Sequence, residues 1–534
     1  MERLLHDTVS LNNLSEEIAL RWPEQVRVNP DLQNGLCRME CEASVLTEVC
    51  SWLFSKMGYS FASLIVEEEP AEFSLRYIFY GDLENGQVHI LYRILKTKAT
   101  VPSISHFVHA ADWHEREAED LFGLVFEDHP RLGDFVLHEE WPEGVNPMRT
   151  DFDASKLYVH REVNPYWRPV RIVQAPGAFM MPIGPIYSDF AESAHFLLET
   201  VGEDVIRTIP RFFYKYRGVE KIAEGRTIDE VLLLAERFSG TSAFAHSLAF
   251  CQAVEEISRV EVPPRAGALR IFLAELERLR HHIASIAGIC GSTALAVATS
   301  QASILEEELL RLCCALTGHR YLFGLNTPGG VVMDFSNEAL RKLEDTIQGL
   351  FKKLEELKKM LSFSSSFLDR LEEVGTVSLE SGVSYGLVGP IARASGITRD
   401  LRRVLPYSGY EKVEFIIPCE QEGDGYARLR ILFSEAKQSA NIISQVASSL
   451  PPGPILPPPF AVPRGAALGW AEAPKGATFH WVRTAEDGRV VRYRVTPPSF
   501  TNWHGFHLAA EDFAFQDFPI IMATFGLSNA ESDR

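Results

Sequence analysis

The stretch Glu236-Arg237-Phe238-Ser239-Gly240-Thr241-Ser242, continued by Ala243-Phe244-Ala245-His246, places two serines three positions apart, shortly before a histidine. Residues Phe525-Gly526-Leu527-Ser528-Asn529-Ala530-Glu531-Ser532-Asp533-Arg534 repeat this spacing with Ser528 and Glu531. Serine hydroxyls are poor metal ligands near neutral pH, and a carboxylate is a hard donor. None of the eight cysteines stands at these four positions, so both pairs lack the sulfur ligands that soft metals prefer.

Four further stretches accompany these pairs in order along the chain. They are Tyr216-Arg217-Gly218-Val219-Glu220-Lys221, residues 274–282, residues 385–390, and Arg393-Ala394-Ser395-Gly396 with Asp400-Leu401-Arg402. The series resembles the large subunit shared by energy-converting nickel–iron hydrogenases, of the hydrogenase-4 and formate-hydrogenlyase type, and by respiratory complex I. In those hydrogenases a CxxC pair in each segment holds the metals, so the resemblance places the two pairs at former ligand positions. We therefore expect no nickel–iron centre and assign no metal ligand.

A second resemblance lies in the N-terminal region. Residues 113–130, which begin Trp113-His114-Glu115-Arg116-Glu117-Ala118-Glu119-Asp120, resemble the signature of the small hydrophilic subunit that docks the quinone-site subunit of complex I. Clustered carboxylates can act as acids and bases, but acidic residues are also favoured at a helix start. Because no nucleophile or cofactor motif lies beside them, we assign subunit docking to four of these residues, which are Glu115, Arg116, Glu117 and Asp120.

The two resemblances predict a fused chain, and its 534 residues suit more than one domain. The expected fold is an α+β domain over residues 1–152, a linker over 153–175, and a mainly α-helical large domain over 176–534. This large domain is expected to be a helical bundle like that of the nickel–iron hydrogenase large subunit, with a C-terminal β-hairpin. Alternating patterns predict strands over 74–80 and 87–95, and the hairpin over 477–483 and 490–495.

Helical patterns dominate the large domain. One apolar stripe, spaced by three and four residues, comprises Leu340, Leu343, Ile347, Leu350, Phe351, Leu354, Leu357 and Leu361. It predicts a long helix packed in its own bundle, with a coiled-coil partner as the alternative. The uncharged stretch 283–305 is long enough to span a bilayer. Its serine, threonine, alanine and glycine content favours a helix buried among other helices instead.

The quinone site of complex I is the second model for the large domain. That resemblance implies a histidine in a GPxHP turn and a tyrosine near the first CxxC pair, both able to donate hydrogen bonds to a quinone. Here Tyr187 stands at the histidine position, and no tyrosine occurs in residues 238–250. A phenol stays protonated near neutral pH, so Tyr187 is a candidate donor, with a packing role as the equal alternative.

Six residues are candidates for lining the resulting cavity, and no catalytic residue is assigned. They are Tyr187, Ser239, Ser242, His246, Ser528 and Glu531. Burial of Glu531 in a dry cavity would raise its pKa and make it a proton relay, whereas a solvated carboxylate is the simpler alternative. His246 and His282 are interpreted as buried core histidines rather than as metal ligands.

Composition limits the remaining possibilities. The net charge of −20 argues against nucleic acid or an anionic lipid surface as the main partner. The eight cysteines form no dense disulfide pattern, which favours a reducing compartment. Cys37 and Cys41 form a close pair without nearby ligands to complete a metal set, so structural thiols are expected. The N-terminus lacks a basic segment followed by an apolar run, so no signal peptide is predicted.

The resemblance implies a peripheral subunit of a membrane-bound, ion-translocating redox complex. Expected partners are an iron–sulfur small subunit, a ferredoxin-like iron–sulfur subunit and antiporter-like membrane subunits, at the cytoplasmic face of the cell membrane. Electrons would pass from the partner's cluster to a quinone or another small acceptor, and the chain itself is expected to bind no iron–sulfur cluster. The alternatives are a catalytically silent scaffold and, less favoured, an active hydrogenase.

Overall fold

The computed structural model describes residues 11–31, 35–81, 86–163, 171–174, 176–187 and 192–534. These residues form two compact units. Unit 1 takes the described residues up to 170 with Arg211–Tyr216 and Val383–Gly386; unit 2 takes the described residues of Arg171–Pro210, Arg217–Gly382 and Leu387–Arg534. Part of the predicted linker lies outside the described residues, so the domain boundaries given above stay predictions.

Unit 1 is an α+β fold built on a five-stranded sheet. Its elements are α1 (Leu11–Arg21), β1 (Val26–Asp31), β2 (Leu36–Cys41), α2 (Ala43–Ser55), β3 (Ser60–Glu68), β4 (Glu72–Tyr80), β5 (Gln87–Leu95), β6 (Thr100–Pro102), α3 (Asp112–Phe122) and β7 (Val125–Glu127). The strand order is β1-β2-β5-β4-β3, in which only β2 and β5 run parallel. β4 and β5 confirm the two predicted strands.

All eight cysteines have free thiols. Cys37 and Cys41 lie on β2 with buried side chains, as expected for structural thiols. Burial raises the pKa of Cys37 to about 11, so this thiol stays protonated at neutral pH.

Unit 2 combines helices with two larger sheets. Its helices are α4 (Val219–Ile222), α5 (Ile228–Arg237), α6 (Ala243–Ser258), α7 (Pro264–Ser292), α8 (Ala296–Thr317), α9 (Asn337–Ser362), α10 (Ser365–Leu368), α11 (Leu379–Ser384), α12 (Gly389–Ala394), α13 (Leu401–Val404), α14 (Gly425–Ser449), α15 (Pro498–His504), α16 (Phe506–Ala509), α17 (Phe518–Phe525) and α18 (Asn529–Asp533). Its strands are β8 (Ala178–Ile183), β9 (His195–Val201), β10 (Asp204–Arg211), β11 (Asn326–Thr327), β12 (Gly330–Val331), β13 (Gly465–Ala473), β14 (Gly476–Thr484), β15 (Val490–Thr496) and β16 (Phe513–Ala514).

Four long helices form the centre of unit 2. α7 packs against α8 and α14, and α9 packs against the same two helices. α9 begins where Ser336 caps it, accepting a hydrogen bond from the Ala339 nitrogen at 3.1 Å. The leucines and the isoleucine of the predicted stripe on α9 are at most 3% exposed. The prediction of a long helix packed in its own bundle is therefore confirmed.

The prediction of one helix over residues 283–305 is wrong. α7 ends at Ser292, α8 begins at Ala296, and Ala294 between them has a φ of 62°. The hydroxyl of Ser292 donates to the Ile289 carbonyl, and that of Thr293 donates to the Ile289 and Cys290 carbonyls. These side chains satisfy the last carbonyls of α7 and allow the chain to turn. Among the described residues, no helix is both long and apolar enough to cross a bilayer.

Unit 2 contains more sheet than the sequence predicted. The expected C-terminal hairpin is present as β14 and β15, but β13 joins it to make a three-stranded antiparallel sheet. A further four-stranded sheet has the order β16-β10-β9-β8. The three-stranded sheet packs against α6, and this contact positions the segments described next.

Candidate functional site

The segments that carry the four positions predicted to be former ligand positions meet inside unit 2. Residues 239–242 form the turn between α5 and α6, and Glu531 lies in α18. The two-residue turn between β13 and β14 carries Lys475. Gly476 follows it with a φ of 133°, and a Cβ there would lie 2.7 Å from the nitrogen of Gly389. Glycine therefore allows this turn to pack closely and to direct Lys475 inward.

Glu531 is completely buried and is surrounded by donors. Its Oε1 accepts a hydrogen bond from the Ser239 hydroxyl at 3.0 Å and lies 3.2 Å from His246 Nε2. Its Oε2 accepts a hydrogen bond from the Ser499 hydroxyl. The ammonium of Lys475 lies 3.6 Å from Oε2 and is itself buried. A cation of the protein therefore neutralises this carboxylate.

The charge of Lys475 reverses the pKa shift that we expected for Glu531. Burial alone would raise the pKa, but the Lys475 ammonium and the hydrogen bonds from His246 and Ser499 together hold it well below its usual range. The prediction of a raised pKa is wrong for this reason, and the alternative of a solvated carboxylate is also wrong. Glu531 is a buried, ionised and paired group at neutral pH.

A chain of hydrogen bonds leads from Glu531 to the three-stranded sheet. His246 Nδ1 lies 3.0 Å from His480 Nε2, and His480 Nδ1 lies 2.8 Å from the hydroxyl of Tyr493. Burial lowers the pKa of both histidines, so each is neutral. One consistent set of tautomers follows: Tyr493 donates to His480, His480 donates to His246, and His246 donates to Glu531. His246 and His282 are fully buried, as the core interpretation predicted.

The other two serines of the predicted ligand positions have different roles. Ser528 caps α18 by accepting a hydrogen bond from the Glu531 nitrogen at 3.1 Å. Its hydroxyl donates to the carboxylate of Glu192 at 3.0 Å. Ser242 is fully buried, and among the described residues its hydroxyl has no hydrogen-bond partner. The structure thus brings Ser239 and Glu531 into direct contact and uses Ser528 to begin the helix that carries Glu531.

Tyr187 follows β8 and contacts residues close to it in the chain. Its hydroxyl donates to the carbonyl of Ala194 at 3.0 Å, and partial burial raises its pKa. A Cβ at Gly184 would lie 2.7 Å from the same hydroxyl oxygen, so the ring packs over this glycine. Residues 188–191 lie outside the described residues. The hydroxyl that we considered as a quinone donor is therefore used within the chain.

The donor set at the four predicted ligand positions does not suit a nickel–iron group. Nickel–iron ligation needs soft thiolates, whereas these positions offer three hydroxyls and one carboxylate. The carboxylate already faces the ammonium of Lys475, which would repel a metal ion. Within the described ranges, no group of three or more histidine, cysteine, aspartate or glutamate side chains is placed to hold a metal.

A second buried cluster includes Glu472 of β13, the strand that precedes the turn with Lys475. We call this cluster the buried charge network. Its members, each at most 3% exposed, are Glu275, Arg278, Arg393, Asp400, Arg402, Glu435 and Glu472. Arg393 contacts three carboxylates, with its nearest oxygens 2.6 Å away on Glu435, 2.9 Å on Glu472 and 3.2 Å on Asp400. His282 lies 2.9 Å from Glu435. The network joins α7, α12, α13, α14 and β13.

Sequence reasoning missed Lys475, His480 and Ser499. These residues lie far along the chain from Ser239, and a lysine before a glycine in a hairpin turn normally predicts an exposed position. The predicted hairpin began at residue 477, two positions after Lys475. The sequence did contain one sign of the buried charge network. Arg393, Asp400 and Arg402 lie among apolar residues in stretches quoted above, and this pattern indicates buried ion pairs.

Two of the acidic residues of α3 are buried within their own unit. Glu115 and Glu117 are at most 2% exposed, and the docking role assigned to them stays a prediction. Glu115 accepts hydrogen bonds from the Ser103 hydroxyl at 2.6 Å and the Ile104 nitrogen at 2.9 Å. These contacts fix the segment before α3.

The rest of α3 also organises its own unit. One carboxylate oxygen of Asp120 accepts from the backbone nitrogens of residues 135–137, and the guanidinium of Arg116 lies 4.3 Å from the centre of the Phe135 ring. Burial raises the pKa of Asp120 to about 6 although these three nitrogens oppose the shift. Docking by Arg116 and Asp120 stays a prediction.

Replacing Glu115 by glutamine is expected to remove a pH dependence of stability. Burial raises the pKa of Glu115 from 4.5 to about 8, so the folded protein holds a proton that the unfolded chain releases. The stability that this carboxyl contributes is complete below pH 4.5 and is lost as the pH rises to about 8, by roughly 1.4 kcal/mol per pH unit. Unfolding midpoints of Glu115→Gln should therefore fall less than those of the wild type over this range.

The exposed Glu127 provides the matched control, because Glu127→Gln changes a solvated side chain of the same unit. An equal pH dependence in the wild type, Glu115→Gln and Glu127→Gln proteins would contradict the assignment.

Comparison with known proteins supports both resemblances, one in the N-terminal and one in the C-terminal half of the chain. The model of the respiratory-chain NADH dehydrogenase 49 Kd subunit matches residues 299–458 and 456–534, and that of the 30 Kd subunit matches residues 39–158. The nickel-dependent hydrogenase model matches residues 217–286. These three matches lie in the regions that carry the two resemblances.

Similar full-length proteins come from both kinds of complex. Formate hydrogenlyase subunit 5 of Escherichia coli is 29% identical, over 92% of this chain and 88% of that protein. Hydrogenase-4 component G of Escherichia coli is 28% identical, over 81% and 76%. The C/D subunit of NADH-quinone oxidoreductase from Acinetobacter baylyi is 27% identical, over 87% and 85%.

Proposed function

This chain belongs to the family of fused small-subunit and large-subunit proteins of complex I and the energy-converting hydrogenases, and we propose that it is a peripheral subunit of a membrane-bound, ion-translocating redox complex. In this proposal it passes electrons from a partner iron–sulfur subunit to a quinone or another small acceptor. The further partners are a ferredoxin-like iron–sulfur subunit and antiporter-like membrane subunits, at the cytoplasmic face of the cell membrane. The names of the relatives support this, because each is a component of a hydrogenase, a formate hydrogenlyase or a quinone oxidoreductase.

The ion pair between Lys475 and Glu531 carries the nickel-free part of the proposal. A nickel–iron group brings positive metal ions to a site whose thiolates are negative. In this chain the site keeps one negative group, Glu531, and Lys475 supplies the compensating charge 3.6 Å away. The site is therefore electrically balanced without a metal ion.

A catalytically silent scaffold is the second candidate, and one observation favours it. The donors that the two family models would offer to a substrate or metal are bonded within the chain: Tyr187 to Ala194, and Ser239 to Glu531. A scaffold would still connect the partner subunits but would transfer no electrons.

Purification of the intact complex distinguishes these functions. We expect no stoichiometric nickel, and we expect the reduced iron–sulfur clusters of the partner to be reoxidised when a short-chain quinone or another small oxidant is added. Cluster oxidation followed by electron paramagnetic resonance provides the measurement. An assembled complex whose clusters stay reduced with every acceptor supports the scaffold, and stoichiometric nickel with hydrogen evolution contradicts the nickel-free proposal.

A further inference from the structure

The buried charge network has an unequal number of positive and negative groups. Three guanidiniums, of Arg278, Arg393 and Arg402, face four carboxyl groups, of Glu275, Asp400, Glu435 and Glu472. All seven side chains are at most 3% exposed, so solvent does not compensate the difference. An unpaired charge in such surroundings costs several kcal/mol, and a buried group usually takes up or releases a proton instead.

The four carboxyl groups differ in how many donors they receive. Asp400 is bound by two arginines and by the Arg402 backbone nitrogen. Glu275 is paired with two arginines and receives hydrogen bonds from the hydroxyls of Tyr410 and Ser439. These two carboxylates are therefore well stabilised in their ionised form.

The remaining two carboxyl groups share Arg393. Glu435 accepts from Arg393 Nε at 2.6 Å and lies 2.9 Å from His282 Nε2. Glu472 accepts from Arg393 Nη1 at 2.9 Å, a group that Asp400 also contacts, and from the Leu401 backbone nitrogen at 3.0 Å. Among the described residues, Glu435 and Glu472 each contact one arginine, but the Arg393 Nη1 that binds Glu472 is also contacted by Asp400, which makes Glu472 the least stabilised carboxylate of the four.

We propose that the buried charge network is a proton-binding site, in which Glu472 takes up one proton from water and becomes a neutral carboxylic acid. The bound proton balances the charges of the network, three positive against three negative. Burial and the neighbouring Asp400 raise the pKa of Glu472 to about 7, with Arg393, Arg278 and Arg402 opposing the shift. Occupancy of the site therefore changes close to neutral pH.

The groups facing Glu472 from the neighbouring elements agree with this assignment. Arg278 on α7 donates to the Glu472 backbone carbonyl rather than to its carboxylate. The Tyr407 hydroxyl accepts from the Glu472 backbone nitrogen at 2.9 Å, and burial raises its pKa, so it stays neutral. The pKa of His282 is lowered by burial, so His282 does not supply a fourth positive charge.

The position of Glu472 connects this site to the cluster around Glu531. Glu472 lies near the end of β13, and Lys475 occupies the turn directly after that strand. The same short segment therefore contributes a proton-binding carboxyl to one buried cluster and the compensating ammonium to the other. This inference rests on the charge network alone and not on the proposed electron transfer.

Infrared difference spectroscopy of the oxidised, intact complex between mildly acidic and mildly alkaline pH tests the proposal. We expect a protonated-carboxyl band that falls as the pH rises through about 7, and one component of this band should be absent from Glu472→Gln, while the components of the other buried glutamates with a raised pKa, Glu115 and Glu277, remain. The control is Glu422→Gln, which changes an exposed carboxylate paired with Arg430 and should keep the band. Labelling glutamate with carbon-13 in the wild type should shift the band, which gives a readout independent of any variant.

Three results would overturn the proposal. These are a band that is unchanged in Glu472→Gln, a band that carbon-13 glutamate does not shift, and a wild type without a titrating carboxyl band. Because no electron donor is present, none of these results depends on whether the complex reduces a quinone.

Discussion

Exchanging Lys475 for methionine is expected to destabilise unit 2 by about 3–5 kcal/mol, because it leaves the carboxylate of Glu531 buried without its cation. The loss is large since both side chains are at most 4% exposed and no solvent reaches Glu531. The hydrogen bond from Lys475 to the Thr241 hydroxyl, 2.6 Å long, is lost as well. Chemical unfolding of the wild type and Lys475→Met measures the difference.

A double variant separates the charge effect from lost packing. Glu531→Gln combined with Lys475→Met removes both charges, so we expect it to recover a large part of the stability lost in Lys475→Met. Lys353→Met is the matched control, because Lys353 forms an exposed ion pair with Glu308, for which we expect about 0–1 kcal/mol. Equal losses at Lys475 and Lys353, or a double variant no more stable than Lys475→Met, would show that Lys475 does not compensate Glu531.

The pH dependence of the same variant has a defined sign. The pKa of Glu531 is depressed below 4.5 in the folded wild type, so its contribution to stability is present above pH 4.5 and is lost as the pH falls. Without Lys475 the folded pKa rises and this contribution shrinks. The difference in stability between the wild type and Lys475→Met should therefore be larger at neutral pH than in acid.

Features of the fold that depend on local spacing were predictable from the sequence. The stripe that begins at Leu340 fixes the buried face of α9, because residues three and four apart share one side of a helix. The alternation in residues 74–80 and 87–95 likewise fixes two neighbouring strands. The break between α7 and α8 was missed, because the absence of charge outweighed Ser292 and Thr293 in that prediction. These two hydroxyl groups end α7 by binding its last carbonyls.

The chemistry of the candidate site depended on contacts that the sequence does not display. The three-residue spacing of Ser239 and Ser242, and of Ser528 and Glu531, marked two segments. Their resemblance to metal-binding pairs predicted that the two segments form one site. The sign of the pKa shift of Glu531 is set by Lys475, which lies 56 positions away on a hairpin turn. Burial and charge compensation depend on how the chain packs. The sequence position of Glu531 alone therefore predicted the wrong direction for its pKa shift.

Exchanging Arg393 for methionine is expected to destabilise unit 2 by at least about 3–5 kcal/mol, which is the loss typical of breaking one buried ion pair. Arg393 is fully buried and contacts Glu435, Asp400 and Glu472. Burial alone would raise the pKa of Glu435, but Arg393 and His282 hold it at about 2. Without Arg393, the stability that ionised Glu435 contributes at neutral pH is lost. In acid the loss is smaller, because there the unfolded chain also binds a proton at this carboxyl. Unfolding measured at neutral and at acidic pH should show a smaller deficit in acid.

Two matched variants show whether geometry or charge is responsible. Arg393→Lys keeps the positive charge but cannot bridge three carboxylates with a planar group, so an intermediate loss is expected. Arg311→Met removes an exposed arginine paired with Glu307 and should change stability by about 0–1 kcal/mol. A deficit in Arg393→Met that does not depend on pH would mean that lost packing, rather than uncompensated carboxylates, causes the effect. A deficit that shrinks in acid would instead show that Arg393 holds Glu435 and Asp400 ionised, which is the condition that leaves a single proton for Glu472.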